Sequence, residues 1–384
     1  MDRRTFVKAT GVAGIAGLAG CSGGPTDGSG DETAEPTESS GDGGSGDSGG
    51  DGEETTTAEP TESGPAANIG MVYATGGLGD GSFNDQAQQG VIQAEEELGI
   101  AYNEAQPEEV AQFSTFQQQF AQSSDPNYDL VCCIGFLQTE ALSETAADYP
   151  DQNFMLVDST VDASNVDNYV FAEHEGSYLG GLMASLLTTQ EFSAGAGSTT
   201  GDSTSVGFVG GVESDLIRKF QAGFEAGVSA GSDDVDVSTN YVGDFNDPAG
   251  GKEAATAMYN DGADIVYHAA GNTGTGVFQA AQEQGKFAIG VDRDQSITKS
   301  SYADVILASM VKRVDTAVYN AVESVVEGNF EGGDTIALGL DQEGVALVYG
   351  DSLGSDIPQD VKDEVATARE DIIAGDISVP DSPE

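Results

Sequence analysis

The chain has 384 residues, of which 66 are acidic and 13 are Lys or Arg, for a formal net charge of −53. That balance excludes a nucleic-acid binder, because phosphate contacts need clustered Lys and Arg, and it excludes electrostatic docking on anionic lipid. Hydrophobic residues still make up 38%, enough to build a core and to argue against global disorder.

The first segment reads as an address. Arg3-Arg4 with Phe6 and Lys8 form a twin-arginine export signal, and the apolar run from Gly11 to Gly20 is too short to cross a bilayer but fits a signal-peptide core. Leu18-Ala19-Gly20-Cys21 resembles a lipobox. Residues 1–21 are therefore expected to be a twin-arginine lipoprotein signal peptide, with lipid on Cys21 anchoring the chain to the outer face of the cytoplasmic membrane. The alternative is an ordinary thiol beside a cleavage site. Residues 22–65 hold Gly, Ser, Thr, Pro, Asp and Glu with almost nothing to bury, the composition of a disordered acidic tether. After Lys8 there is no Lys or Arg until Arg218. The acids are spread along the whole chain rather than massed at one place. This suits a halophilic surface, where salt screens like charges, better than a dedicated cation site.

From about residue 67 short apolar runs alternate with helical spacing. Strands are expected at Ile69–Ala74, Tyr128–Gly135, Asn153–Asp158, Tyr169–Ala172, Ser205–Val212, Val235–Val242, Asp264–Ala269, Phe287–Val291, Val305–Ser309, Thr335–Leu340 and Val345–Tyr349. Helices are expected at Phe83–Leu98, Val110–Ala121, Thr139–Tyr149, Tyr178–Thr189, from Ser214 through Val228, Gly251–Tyr259, Gly276–Gln284, Val314–Val326 and Gln359–Ala374, with Glu191–Thr204 a flexible polar insertion. Apolar strands alternating with helices mean parallel sheets covered on both faces. More than ten strands call for two lobes, with breaks near 174–176, 295–305 and 330–335. Cys132 and Cys133 sit inside Leu130–Ile134 and read as small buried hydrophobes, with a strained vicinal disulfide as the alternative.

Ligands in such lobes bind beyond the carboxyl ends of strands, and those ends carry polar and aromatic residues. The first strand runs into Gly76-Gly-Leu-Gly-Asp-Gly-Ser-Phe-Asn84. It is not a dinucleotide fingerprint, because Ser82 stands where the third Gly would fall. Asp80 or Ser82 could equally be a helix cap, and Phe83 a core residue. Gly135-Phe136, Asp158-Ser159, Tyr267-His-Ala-Ala-Gly-Asn-Thr-Gly274, Gly290-Val-Asp-Arg-Asp-Gln295 and Ser309-Met-Val-Lys-Arg313 end other strands, and Phe171, Glu173 and Glu175 lie at an expected crossover. Catalytic constellations are poor. The two histidines, His174 and His268, have no nucleophile elbow, zinc-spaced cysteines or P-loop to work with. Asp292 and Asp294 could form an acid pair or hold a hard cation, but no Asp-rich loop surrounds them. No enzyme, cofactor or metal is expected.

Taken together, the Gly-rich start, Phe171-Ala-Glu-His-Glu-Gly-Ser-Tyr-Leu-Gly-Gly181, Gly207-Phe-Val-Gly-Gly211, Ala269-Ala-Gly-Asn-Thr-Gly274, Gly290–Gln295 and Ser309–Arg313 resemble the basic membrane protein (BMP) family of importer-associated, substrate-binding lipoproteins. The resemblance covers roughly residues 67–330. It implies an α/β, two-lobed periplasmic-binding-protein fold of type I with three crossovers. It also implies purine-nucleoside binding in the cleft and delivery to ABC permease subunits. Carried over, Phe83 would stack on the base, Asp80 and Asn84 would line the same wall, and Asp158 would bond the base edge. Asp292 and Lys312 would hold the ribose, and Gly271 would let the backbone come close. Asn272 departs from the commoner Ala-Gly-Gly-Thr-Gly, which leaves the second aromatic wall open among Tyr267, His268 and Phe171. The lobes are expected as 66–174 plus 305–332 and 175–304 plus 333–384. A sugar or other small polar solute, or a ligand-sensing surface lipoprotein, is the alternative reading.

Overall fold

The computed structural model describes residues 64–383; the expected signal peptide, Cys21 and nearly all of the tether lie outside them. In chain order the first half holds β1 (Asn68–Val72), α1 (Phe83–Leu98), β2 (Ala101–Ala105), α2 (Phe113–Ala121), β3 (Leu130–Cys133), α3 (Thr139–Asp148), β4 (Phe154–Val157) and β5 (Val166–Phe171). There follow α4 (Glu173–Thr188), a two-residue hairpin of β6 (Ser193–Ala194) and β7 (Gly197–Ser198), β8 (Ser205–Gly210), α5 (Asp215–Gly231), β9 (Asp236–Tyr241) and α6 (Pro248–Asn260). The rest is β10 (Ile265–Ala269), α7 (Gly274–Gln284), β11 (Phe287–Asp292), α8 (Gln295–Thr298), β12 (Ile306–Lys312), α9 (Val314–Val326), β13 (Thr335–Leu338), β14 (Val345–Tyr349) and α10 (Gln359–Ala374).

Two six-stranded sheets carry these elements, ordered β13-β5-β4-β3-β1-β2 and β14-β12-β11-β10-β8-β9. The first is parallel throughout, whereas the second gains an antiparallel edge where β14 meets β12. The central strands β3, β4, β10 and β11 are buried along their whole length, as expected of apolar strands covered by helices on both faces. This is the expected two-lobed α/β fold.

The lobe boundaries differ from those expected. β12 and its Lys312 belong to the second sheet, not the first, and β13 belongs to the first sheet, not the second. The chain changes lobe at Ala172, at Arg313 and between residues 339 and 344, so there are three crossovers, but the later two are displaced from the expected breaks. The reason is local. β12 pairs along β11, while α9 packs on α1 so closely that a Cβ on Gly90 would sit 2.3 Å from the Asp315 carbonyl oxygen. α4 belongs to the second lobe for the same kind of reason: a Cβ on Gly227 would stand 2.0 Å from the Tyr178 carbonyl oxygen, so α4 and α5 touch backbone to backbone.

Three further differences are instructive. β2 was not expected, because its sequence AYNEA is an edge strand exposed over most of its length and offers no apolar run. α4 begins at Glu173, ahead of the expected Tyr178. The stretch Glu191–Thr204 is a pinned hairpin rather than a flexible insertion: Phe192 is buried and stacks near Phe287, 5.3 Å between centroids. Ala196 N–H donates to the Asp304 carbonyl, and Ser198 N–H to that of Gly285. Cys132 and Cys133 are free, buried thiols, and burial raises both above the ordinary thiol range. No described helix is long and apolar enough to cross a membrane.

Candidate functional site: the cleft between the two sheets

Both sheets direct their strand ends at one cleft, with about 670 Å³ of space between its walls, open solvent included. Its walls include Asp80, Phe83, Asn84, Asp158, Gly271, Asp292 and Lys312. Seven of the eight residues expected to touch a ligand are thus brought together from α1, β4, β11, β12 and the loops before α1 and α7.

They do not all do the same work. Asp80 spends both carboxylate oxygens on backbone amides at the start of α1, accepting from Ser82 N (2.8 Å), Asn84 N (2.9 Å) and Asp85 N (3.2 Å). Asn84 accepts from Ala74 N at 2.9 Å and donates to the Gly77 carbonyl at 3.1 Å. The alternative of Asp80 as a cap is what the geometry shows, and both residues line the wall while holding the Gly-rich loop in shape. That frees Phe83, half-buried in the first turn, to present its ring to the cleft.

The floor is ionic. Asp158 directly follows β4 and Asp292 ends β11, and both have left-handed backbones, with φ of 70° and 65°. That conformation is uncommon outside glycine and concentrates at functional sites. Lys312, 2% exposed, donates to Asp158 Oδ2 at 2.7 Å and reaches Glu173 Oε1 at 3.5 Å. Its ammonium also lies 4.7 Å from the centre of the Phe83 ring, a cation–π distance. Ser82 Oγ donates to Asp292 Oδ2 across the lobes, and Thr298 Oγ1 donates to the Gly81 carbonyl at 2.8 Å. Burial pushes Asp158 up to about 6, with Lys312 opposing it. Asp292 is likewise raised by burial to about 6, against the pull of Lys312 and the Ser82 bond. Burial acts to lower Lys312, but Asp158, Glu173 and Asp292 together win and raise it. Asp158 Oδ1 is buried with no hydrogen-bond partner in the protein, as is Glu173 Oε2 behind it; of the two residues, Asp158 lines the cleft, and its Oδ1 is left over as an acceptor there.

Tyr267 is corrected. It is fully buried inside β10, its hydroxyl 3.1 Å from Ser177 Oγ and its ring among Phe208 and Phe224. His268 is no wall either: its Nε2 bonds Gln295 Oε1 at 2.9 Å, and burial lowers it to about 3. Phe171 is buried outside the cleft lining. The other aromatic groups lining the cleft are Phe136 of the first lobe, Phe220 on α5 and Phe245 after β9, and Phe245 meets Phe136 edge-on at 6.3 Å. Phe220 belongs to the buried face of α5 with Ile217, Phe224 and Val228, so its spacing alone marks it as core. Phe245 follows Tyr241-Val-Gly-Asp at a strand end, the same position that marks the other site residues. Gly271, at φ 55°, starts the turn before α7 and brings backbone to the cleft wall.

Comparison with known proteins adds to this geometry. A model of the family described as "ABC transporter substrate-binding protein PnrA-like" matches residues 67–383. The CD4+ T-cell-stimulating antigen of Listeria monocytogenes is 35% identical over 82% of this chain and 88% of its own length. The ABC transporter nucleoside-binding protein BmpA of Lactococcus lactis is 33% identical over 81% and 88%, and a lipoprotein of Pyrococcus abyssi is 34% identical over 77% and 71%. An ABC transporter solute-binding protein of Aeropyrum pernix, solved as a crystal structure, superposes with a TM-score of 0.72 at 29% identity, covering 82% of this chain and 94% of that one.

Proposed function

The chain belongs to the family of PnrA-like ABC transporter substrate-binding proteins, and from that premise we propose that it captures a purine nucleoside outside the cell and hands it to an importer's permease. A protein of this family binds and delivers; it performs no reaction on its cargo. The observation that carries the nucleoside reading is the adjacency of a flat aromatic face, Phe83, to a floor with separate acceptors and a donor, Asp158, Asp292 and Lys312. A base stacks on Phe83 and meets Phe220 or Phe245 on its other side. The free Asp158 Oδ1 accepts an N–H from the base edge. Lys312 donates to a ribose oxygen and Asp292 accepts from a ribose hydroxyl. The relative in Lactococcus lactis that is named nucleoside-binding supports the same choice. Lipidation of Cys21, with residues 22–65 as tether, keeps the protein at the outer face of the membrane beside the permease.

Calorimetry in molar salt with a purine nucleoside, its free base and ribose tests the ligand. The nucleoside should bind at least tenfold more tightly than either fragment, a margin of about 1.4 kcal/mol. Binding of ribose or another sugar without the nucleoside would replace this reading with the sugar-binding one. Cys21→Ser should move the protein from membrane to medium, and unchanged membrane association would remove the anchor.

A further inference from the structure

The cleft's most deeply buried acid does not face the ligand. Glu173, 0% exposed, is the first residue of α4, immediately after the first crossover. Two lysines reach it from the second lobe. Lys219 on α5 lies 3.0 Å from Oε2 and also donates to the Phe171 carbonyl; Lys312 at the end of β12 lies 3.5 Å from Oε1. Two residues on, Glu175 accepts from Leu340 N at 2.8 Å, so the first turn of α4 gathers residues of all three crossovers. Asp158 and Asp292 complete the group around Lys312.

We propose, resting on the ligand reading above, that Glu173 is the positioning residue of this site. Pinned by Lys219, it holds the Lys312 ammonium in place and supplies the surplus carboxylate that sets the protonation of the Asp158–Asp292 pair. The charge count is direct: three carboxylates face two ammonium groups. Of the other groups nearby, His174 is lowered by burial and by Lys219 and Tyr267 is held neutral by burial, so neither alters that count. Glu175, whose carboxylate accepts from the Leu340 amide, and Asp80, beside Asp292, add to the negative side. Burial raises Asp158 most and Lys312 opposes it; Glu173 adds to the rise, and Lys219 acts in the opposite direction.

Removing each charge should therefore displace the site's titration in opposite senses, which a merely structural role would not do. The readout is the carboxyl carbon resonances of Asp158 and Asp292, followed against pH by NMR in the ligand-free protein and assigned with the Asp→Asn variants. In the wild type Asp158 should titrate near 6. Glu173→Gln should move its midpoint to lower pH and Lys219→Met to higher pH, each by about half a pH unit or more. Nucleoside affinity should fall as pH drops through the same midpoint. At pH 7.5, where Asp158 is ionised in wild type and variant alike, Glu173→Gln should weaken the nucleoside about tenfold through the loosened Lys312, its ribose donor, while leaving the free base within about threefold. Identical midpoints in the three proteins, or shifts of both variants in one direction, would overturn the proposal. Opposed shifts in a protein that binds no nucleoside would sink the ligand reading and leave the role of Glu173 standing.

Discussion

The two lobes share a strand order but not a charge. Residues 64–171 and 314–338, which build the first lobe, contain no Lys or Arg, whereas every described Lys and Arg lies in the second lobe or at Arg313 between them. Each lobe ends its β4 or β11 position in a left-handed aspartate, yet Asp158 can find an ammonium group only across the cleft, at Lys312. Asp292 in turn takes its hydroxyl from Ser82 of the first lobe. Equivalent positions in equivalent topologies thus depend on each other. An open cleft would return both carboxylates to water, so closure is encoded in the unequal distribution of cations as much as in apolar contact.

The sharpest way to break that dependence is Lys312→Met. It leaves Asp158 without its cation and Glu173 with one instead of two. Breaking a buried pair costs about 3–5 kcal/mol, so the melting temperature in molar salt should fall and nucleoside binding should weaken more than about 100-fold. A variant that binds as well as wild type would mean that the lobes close without the charge exchange. Asp292→Asn keeps the shape and removes the charge. A hydrogen bond to a charged group is worth about 1.5–3 kcal/mol, which predicts a nucleoside affinity lower by about 10- to 150-fold and a free-base affinity nearly unchanged. Equal losses for both ligands would take the ribose away from Asp292.

Phe83→Ala tests the wall contributed by the cation-free lobe. Stacking of a base is worth about 1–3 kcal/mol, so nucleoside and base should weaken together by about 5- to 150-fold. Phe245→Ala should cost less, because that ring sits half-buried at the mouth. The smallest effect belongs to Tyr267→Phe. Losing the bond to Ser177 should lower stability by about 1 kcal/mol and leave calorimetric affinity within twofold. A larger loss of affinity would put Tyr267 back among the ligand-binding residues.

Much of this arrangement was legible in the sequence, because strand ends can be read where buried strands stop. Asp158, Asp292 and Lys312 each close a continuous apolar run, and Phe83 follows a Gly-rich turn that has few other uses. Tyr267 misled because it stands in the middle of a strand: Ala269, two residues on, is the last residue of β10, and side chains within a doubly covered sheet go to the core. Asp80 and Asn84 had the right place and a different duty, since a short polar side chain before a helix competes for backbone amides. Phe220 was hidden by its helix, whose apolar face serves core and cleft at once. The lobe boundaries failed at β12 and β13, where no composition change marks a crossover and only pairing partners decide.

The adjacent thiols of Cys132 and Cys133 carry one more consequence. An exported body meets oxidants and has no cytosolic reductant to protect it, and thiol chemistry proceeds through the thiolate. Both sulfurs here lie in the middle of the first sheet, with burial holding them in the neutral form. These two thiols are therefore poor targets for oxidants while the body stays folded. In a Cys21→Ser chain, a cysteine introduced on the rim of each lobe would be labelled against buried thiols alone, so that opening and closing could be followed as a distance.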